Sequence, residues 1–172
     1  LDCGAGDGRV LEALTSGAKY AIEKAQPLIH AMANDIFIVG TEFTEQTLID
    51  KKVDVVFSNP PYSDFSQWAC KIIEEANASY IYLVIPQRWE KDRNIEHAIE
   101  ARSSASTVLG EFNFLEADRR ARAKVHIVRI DLCSRHNEWS QRPKTDPFDV
   151  WFEKHFHLDI HNTEHSKYSV FN

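Results

Sequence analysis

Val53-Asp54-Val55-Val56-Phe57-Ser58-Asn59-Pro60-Pro61-Tyr62 is the stretch on which the fold turns. Its β-branched and aromatic run reads as a strand, and its near-continuous apolar character is that of a strand buried on both faces of a parallel sheet. The strand stops at a rigid corner. Pro60 and Pro61 fix φ at adjacent positions and remove two backbone donors, which frees the Pro60 carbonyl to point outward as an acceptor. Asn59 adds a side-chain amide oxygen and Tyr62 a flat aromatic face. Two acceptors beside a flat face suit a planar amine, whose two hydrogens they can take.

Upstream, Asp2-Cys3-Gly4-Ala5-Gly6-Asp7-Gly8 reads as a glycine loop between a strand ending at Asp2 and a helix over Arg9 to Ser16 that Gly17 stops. Gly4 and Gly6 let the backbone turn sharply and approach a ligand, and the helix start that follows offers free N–H groups. Lys19 to Glu23 is a second strand, Ala25 to Ala33 a helix with Pro27 in its first turn, and Ile36 to Val39 a third strand. Beyond the Asn59 to Tyr62 corner, a helix over Asp64 to Ala76 places Phe65, Trp68, Ala69, Ile72 and Ile73 on one side. Tyr80 to Ile85 is a fifth strand, followed by a polar helical segment through Arg102.

Such alternation predicts an α/β fold, an open and mostly parallel sheet with helices on both faces. Val108 to Leu115 and Lys124 to Leu132 are separated by too few residues for a parallel crossover, so they are expected as a C-terminal antiparallel hairpin. One domain is expected over residues 1–132. Residues 133–172 are expected as a polar, partly irregular C-terminal extension with a helical stretch at Asp149 to Phe156. Leu1 already stands at the end of the first strand, so that strand is expected to be truncated and its neighbours short of backbone partners.

The 172 residues are 43% hydrophobic and 27% charged, the balance of a single globular core. No apolar run approaches the ~20 residues that span a bilayer, and the first residues carry the glycine loop in place of an export signal, so a cytoplasmic protein with no membrane contact is expected. Cys3, Cys70 and Cys133 lack paired spacing and are read as thiols. A net charge of −6 disfavours bulk electrostatic attachment to a polyanion and leaves local clusters. Arg119, Arg120, Arg122, Lys124 and Arg129 form one, read either as a solvated face or as a contact to a substrate backbone. Arg88, Lys91 and Arg93 form a smaller one. His157, His161 and His165 recur at helical spacing with no cysteine among them, and no metal is assigned.

At the glycine loop the chain resembles the class I S-adenosylmethionine-dependent methyltransferases, over about residues 1–132. The resemblance implies a Rossmann-like sheet and S-adenosylmethionine as cofactor. Asp2 and the loop through Gly4, Ala5, Gly6 and Gly8 would contact its methionine part, and Glu23 its ribose hydroxyls, whose hydrogens a carboxylate can accept. Glu42 and Phe43 stand where the family brackets the adenine, although Thr41-Glu42-Phe43 replaces the commoner Gly-Asp-Phe. The loop differs from the dinucleotide fingerprint.

Asn59-Pro60-Pro61-Tyr62 is similar to the catalytic corner of amino-methyltransferases that act on adenine N6, cytosine N4 or a protein glutamine amide. Ser63-Asp64-Phe65 and Val84-Ile85-Pro86-Gln87-Arg88-Trp89 look most like phage and prophage DNA adenine methyltransferases, which flip the target base out of the stack. By that likeness Tyr62 stacks on the base, Trp89 borders its pocket or caps the core, and Arg119, Arg120 and Arg122 lie on the substrate side. The expected activity is methyl transfer to adenine N6 in DNA. RNA adenine and a glutamine amide are the alternatives, with a truncated non-catalytic module as a reading of another class. No separate domain for target recognition is legible, which leaves a partner chain for it and loose specificity as equal expectations.

Overall fold

The computed structural model describes residues 1–113 and 124–132. Its strands in chain order are β1 (Asp2–Cys3), β2 (Lys19–Ile22), β3 (Ile36–Gly40), β4 (Val55–Ser58), β5 (Tyr80–Pro86), β6 (Ala105–Asn113) and β7 (Lys124–Asp131). The helices are α1 (Arg9–Leu14), α2 (Gln26–Ala31), α3 (Phe65–Glu75) and α4 (Arg93–Ala101), with short 3-10 turns at Phe43–Glu45 and Gln87–Lys91. The strands make one sheet in the order β3-β2-β1-β4-β5-β7-β6. β1 to β5 run parallel, while β7 is antiparallel to β5 and to β6. The expected α/β sheet and C-terminal hairpin are thus present, and the hairpin folds back so that its second strand lies against β5.

β1 has two residues, yet it joins both neighbours where it matters. Asp2 pairs with Ala21 and Phe57, and Cys3 with Ile22 and Ser58. Flanking bonds extend the seam: the Leu1 amino group donates to the Val55 carbonyl at 2.9 Å, Phe57 N–H to the Leu1 carbonyl at 2.8 Å, and Gly4 N–H to the Ile22 carbonyl at 2.9 Å. The neighbours are therefore bonded to the chain at the carboxyl ends of β2 and β4, the edge at which open α/β sheets bind ligands.

The main core lies between β4, β5 and β7 on one side and α3 and α4 on the other. Val56, Ile81, Leu83, Ile85, Val128 and Ile130 pack with Ala69, Ile72, Ile73, Ile95 and Ala98, all buried. A smaller core joins Ala5 and Ala21 to Leu11 of α1 and to Met32 and Ile36. The expectation that the Val53 to Phe57 run is buried on both faces is not met: the strand starts at Val55, and Val55 and Phe57 are only half-buried. The reason is topological. α3 and α4 share a core with the face that carries Val56, Ile81 and Leu83, so the alternate residues Val55, Phe57, Tyr80 and Tyr82 stay partly exposed.

Local chemistry sets the helix ends. Pro27 sits in the first turn of α2, as expected. α1 stops at Leu14, ahead of Gly17, because Thr15 takes extended backbone. Asp92 caps α4 by accepting from the N–H groups of Asn94 and Ile95, a contribution of about 1 kcal/mol. The polar segment expected as one helix is therefore a 3-10 turn followed by α4. At the other end, buried Arg102 donates to the carbonyls of Ile73 and Glu74 at 2.9 Å and of Ala76 at 3.1 Å, satisfying groups that the C-terminus of α3 leaves open.

Candidate active site

Three left-handed glycines shape the loop after β1: Gly4 at φ +83°, Gly6 at +61° and Gly8 at +83°. An L side chain at these angles is strained, which is why the loop needs glycine. At Gly8 space is also short, since a Cβ would lie 2.6 Å from Ile36 Cδ1. Gly6 differs: a Cβ there would meet nothing within 4 Å, because Gly6 faces the open cleft.

Glu23, just past β2, is tied to this loop. Its Oε2 accepts the Gly6 N–H and its Oε1 the Ala25 N–H, each at 2.8 Å. A carboxylate has about four acceptor sites, so capacity for two further hydrogens remains. Asp2 is buried, and its Oδ1 has no hydrogen-bond partner among the described residues. Burial pushes its carboxyl up to about 7; the Leu1 ammonium opposes this and the Glu23 carboxylate adds to it. A buried acceptor with nothing to accept from is matched to a cationic donor.

On the opposite wall Phe43, buried in the turn after β3, stacks on Trp68 of α3 with centroids 4.0 Å apart and planes at 20°. Glu42 beside it is half-exposed and lies 3.7 Å from the Lys24 ammonium. The Asn59 to Tyr62 corner closes the cleft. Asn59 is exposed and its amide forms no hydrogen bond among the described residues, Pro60 is buried, and the Asp64 N–H bonded to the Pro61 carbonyl at 3.0 Å turns the chain into α3. Tyr62 is half-buried, and that burial raises its phenol pKa.

These pieces line one cleft of about 800 Å³, within the ~300–1,000 Å³ of small-molecule sites. Asp2, Gly4, Ala5, Gly6, Glu23, Glu42, Phe43, Asn59, Pro60, Pro61 and Tyr62 all border it. Trp89 does not: it packs against the main core, and its indole N–H donates to His126 Nδ1 at 3.2 Å. Arg119, Arg120 and Arg122 lie outside the described residues, as do Cys133 and the histidines beyond it. Trp68, Val10 and Leu28 also line the cleft and were not foreseen as site residues. The sequence places Trp68 on the apolar side of its helix, and only the fold shows that this side continues past the core into the cleft.

No protein-family model matches the chain, and no curated protein matches it in sequence. Its fold does match solved structures of class I methyltransferases. A dimethyladenosine transferase from Plasmodium falciparum superimposes with a TM-score of 0.61 at 16% identity over 76% of this chain and 54% of that one. The E. cuniculi Mtq2–Trm112 complex, described as methylating the eRF1 translation termination factor, gives 0.57 at 15% identity over 76% and 82%. The N-terminal domain of human METTL16 in complex with SAH gives 0.54 at 12% over 77% and 61%. The chain thus spans about half the length of the dimethyladenosine transferase. The fold is the Rossmann-like class I methyltransferase fold.

Proposed function

We propose that this chain transfers a methyl group from S-adenosylmethionine to the exocyclic N6 amine of adenine in a nucleic acid, with DNA as the first polynucleotide to test and RNA as the second. The observation that carries the reading is the single cleft that holds both the glycine loop with Glu23 and the Asn59 to Tyr62 corner.

S-adenosylmethionine, when bound, supplies a methyl group activated by its sulfonium. The residues fit its parts. The unpartnered Asp2 oxygen suits the ammonium, and the acceptor capacity left on Glu23 suits the ribose hydroxyls. Phe43, backed by Trp68, offers an apolar wall for a planar base. At the corner, the Asn59 amide oxygen and the Pro60 carbonyl accept the two amine hydrogens, which draws the nitrogen lone pair out of conjugation and aims it. Tyr62 stacks on the base. Alignment and electrostatic support are the catalysis that a direct displacement needs, so no strong base is required.

The dimethyladenosine transferase among the structural neighbours supports adenine as the base, and the pairing of Mtq2 with Trm112 supports a partner chain. The test is calorimetric titration with S-adenosylmethionine, then methyl-transfer assays on unmethylated DNA, RNA and a glutamine-containing peptide. Label in the peptide alone replaces adenine by an amide substrate. Absence of cofactor binding favours a non-catalytic module. In Asn59→Ala, cofactor affinity is expected to stay within about twofold while kcat falls at least ~100-fold, the scale of one lost transition-state contact. Unchanged turnover removes Asn59 from the chemistry.

A further inference from the structure

We infer that Arg88 is a positioning residue for this transfer, one that holds the Tyr62 face in place; the inference rests on the methyl-transfer reading above. By sequence Arg88 belongs to a small basic cluster with Lys91 and Arg93. The fold gives it a distinct task. Its Nη2 donates to the Tyr62 carbonyl at 2.7 Å, and its guanidinium carbon lies 4.9 Å from the centre of the Phe65 ring. Phe65 is the buried first residue of α3. One side chain thus grips the last residue of the corner by its backbone and the first turn of the next helix by its ring.

The corner has few ties of its own. Pro60 and Pro61 lack N–H groups, and the bond from Asp64 N–H to the Pro61 carbonyl is its internal closure. What Arg88 ties it to is bonded to the sheet. Arg88 lies in the Gln87–Lys91 turn directly after β5, whose last residue, Pro86, pairs with Val125 of β7. In the same turn Trp89 packs on the core and donates to buried His126 of β7. Glu90 and Glu111 lie 3.6 Å from the His126 Nδ1 and Nε2, respectively. The turn is therefore a strut: Trp89 anchors it to the sheet and Arg88 reaches across to Tyr62. A planar guanidinium can lie over a ring and donate edge-on to a carbonyl at once, which an ammonium cannot do as well.

A base that stacks on Tyr62 is aimed by where that ring stands, and a shift of ~1 Å costs on the order of 100-fold in rate. The test uses the full chain carrying Arg88→Ala or Arg88→Lys, a surface change that leaves the core intact. For Arg88→Ala, kcat is expected to fall about 10- to 100-fold, with KM for the nucleic acid and the dissociation constant for S-adenosylmethionine each within about threefold of wild type. Amide hydrogen exchange over Tyr62 to Ser66 is expected to quicken about tenfold, with β4 unchanged. Arg88→Lys, which keeps a donor and loses the flat contact, is expected to recover part of both effects. A retained kcat, or a raised KM with kcat kept, overturns the positioning role. Unchanged exchange at Tyr62 to Ser66 overturns the grip itself and leaves the activity reading standing. A wild-type chain that methylates none of the three substrates overturns that activity, and with it the catalytic part of this inference.

Discussion

The Ser58 hydroxyl donates to the Cys3 carbonyl at 2.7 Å in the protein interior, which clasps the last residue of β4 to the last residue of β1. The glycine loop starts at the next residue on one side, and Asn59 is the next residue on the other. Two motifs distant in the chain therefore leave the sheet side by side, at a separation fixed by one buried hydrogen bond and the pairing around it.

Ser58→Ala tests the clasp. The change removes the donor and leaves a buried carbonyl without that partner, which costs about 1–3 kcal/mol. Urea unfolding is expected to show that loss at an unchanged m-value.

Glu23 joins loop to ligand through its two carboxylate oxygens. Glu23→Gln keeps one acceptor oxygen and turns an NH₂ toward the Gly6 or Ala25 N–H, so loop geometry and acceptor capacity both suffer. Cofactor affinity is expected to fall at least tenfold, or about 1.4 kcal/mol. Calorimetry should show the same loss with adenosine as competitor and little change with methionine.

Asp2 carries a pH signature. Its folded value of about 7 lies above its ordinary value near 3.8, so between those limits the native state binds more protons than the unfolded one. Asp2's own contribution to ligand-free stability therefore falls as pH rises from about 4 to about 7 and is flat above, by an amount on the order of a few kcal/mol. Asp2→Asn is expected to raise the melting temperature at pH 8 and to weaken cofactor binding. In wild type, affinity should rise with pH through about 7 as the carboxyl ionises; the Asn variant should lack that part of the rise.

Gly6→Ala and Gly8→Ala separate binding from stability. Both impose a left-handed angle on an L residue, which costs about 1–2 kcal/mol. At Gly8 the new methyl also displaces Ile36 and Met32 in the smaller core, so this variant is expected to be the less stable in urea. At Gly6 the methyl enters the cleft, so its larger effect is expected on the dissociation constant for S-adenosylmethionine.

Much of the site was legible because its physics is local. A run of small φ-permissive residues dictates a tight loop wherever it occurs, two prolines stiffen a corner regardless of what surrounds it, and alternating strand and helix patterns leave few topologies. The glycine loop and the proline corner are such features; Glu23 and Phe43 are recognised only through the family resemblance, and it is the fold that gathers all of them around one cleft.

What the sequence by itself determined was therefore the order of elements, the class of sheet and the residues that bring acceptors and faces to its carboxyl edge. Only the tertiary structure decided which of those residues touch. Trp68 backs Phe43, Trp89 turns inward to His126, Arg88 leaves its basic neighbours to hold Tyr62, and alternate residues of β4 stay only half-buried. Each of these depends on where a crossover returns the chain, and contacts between residues far apart in sequence leave no periodic trace in either partner.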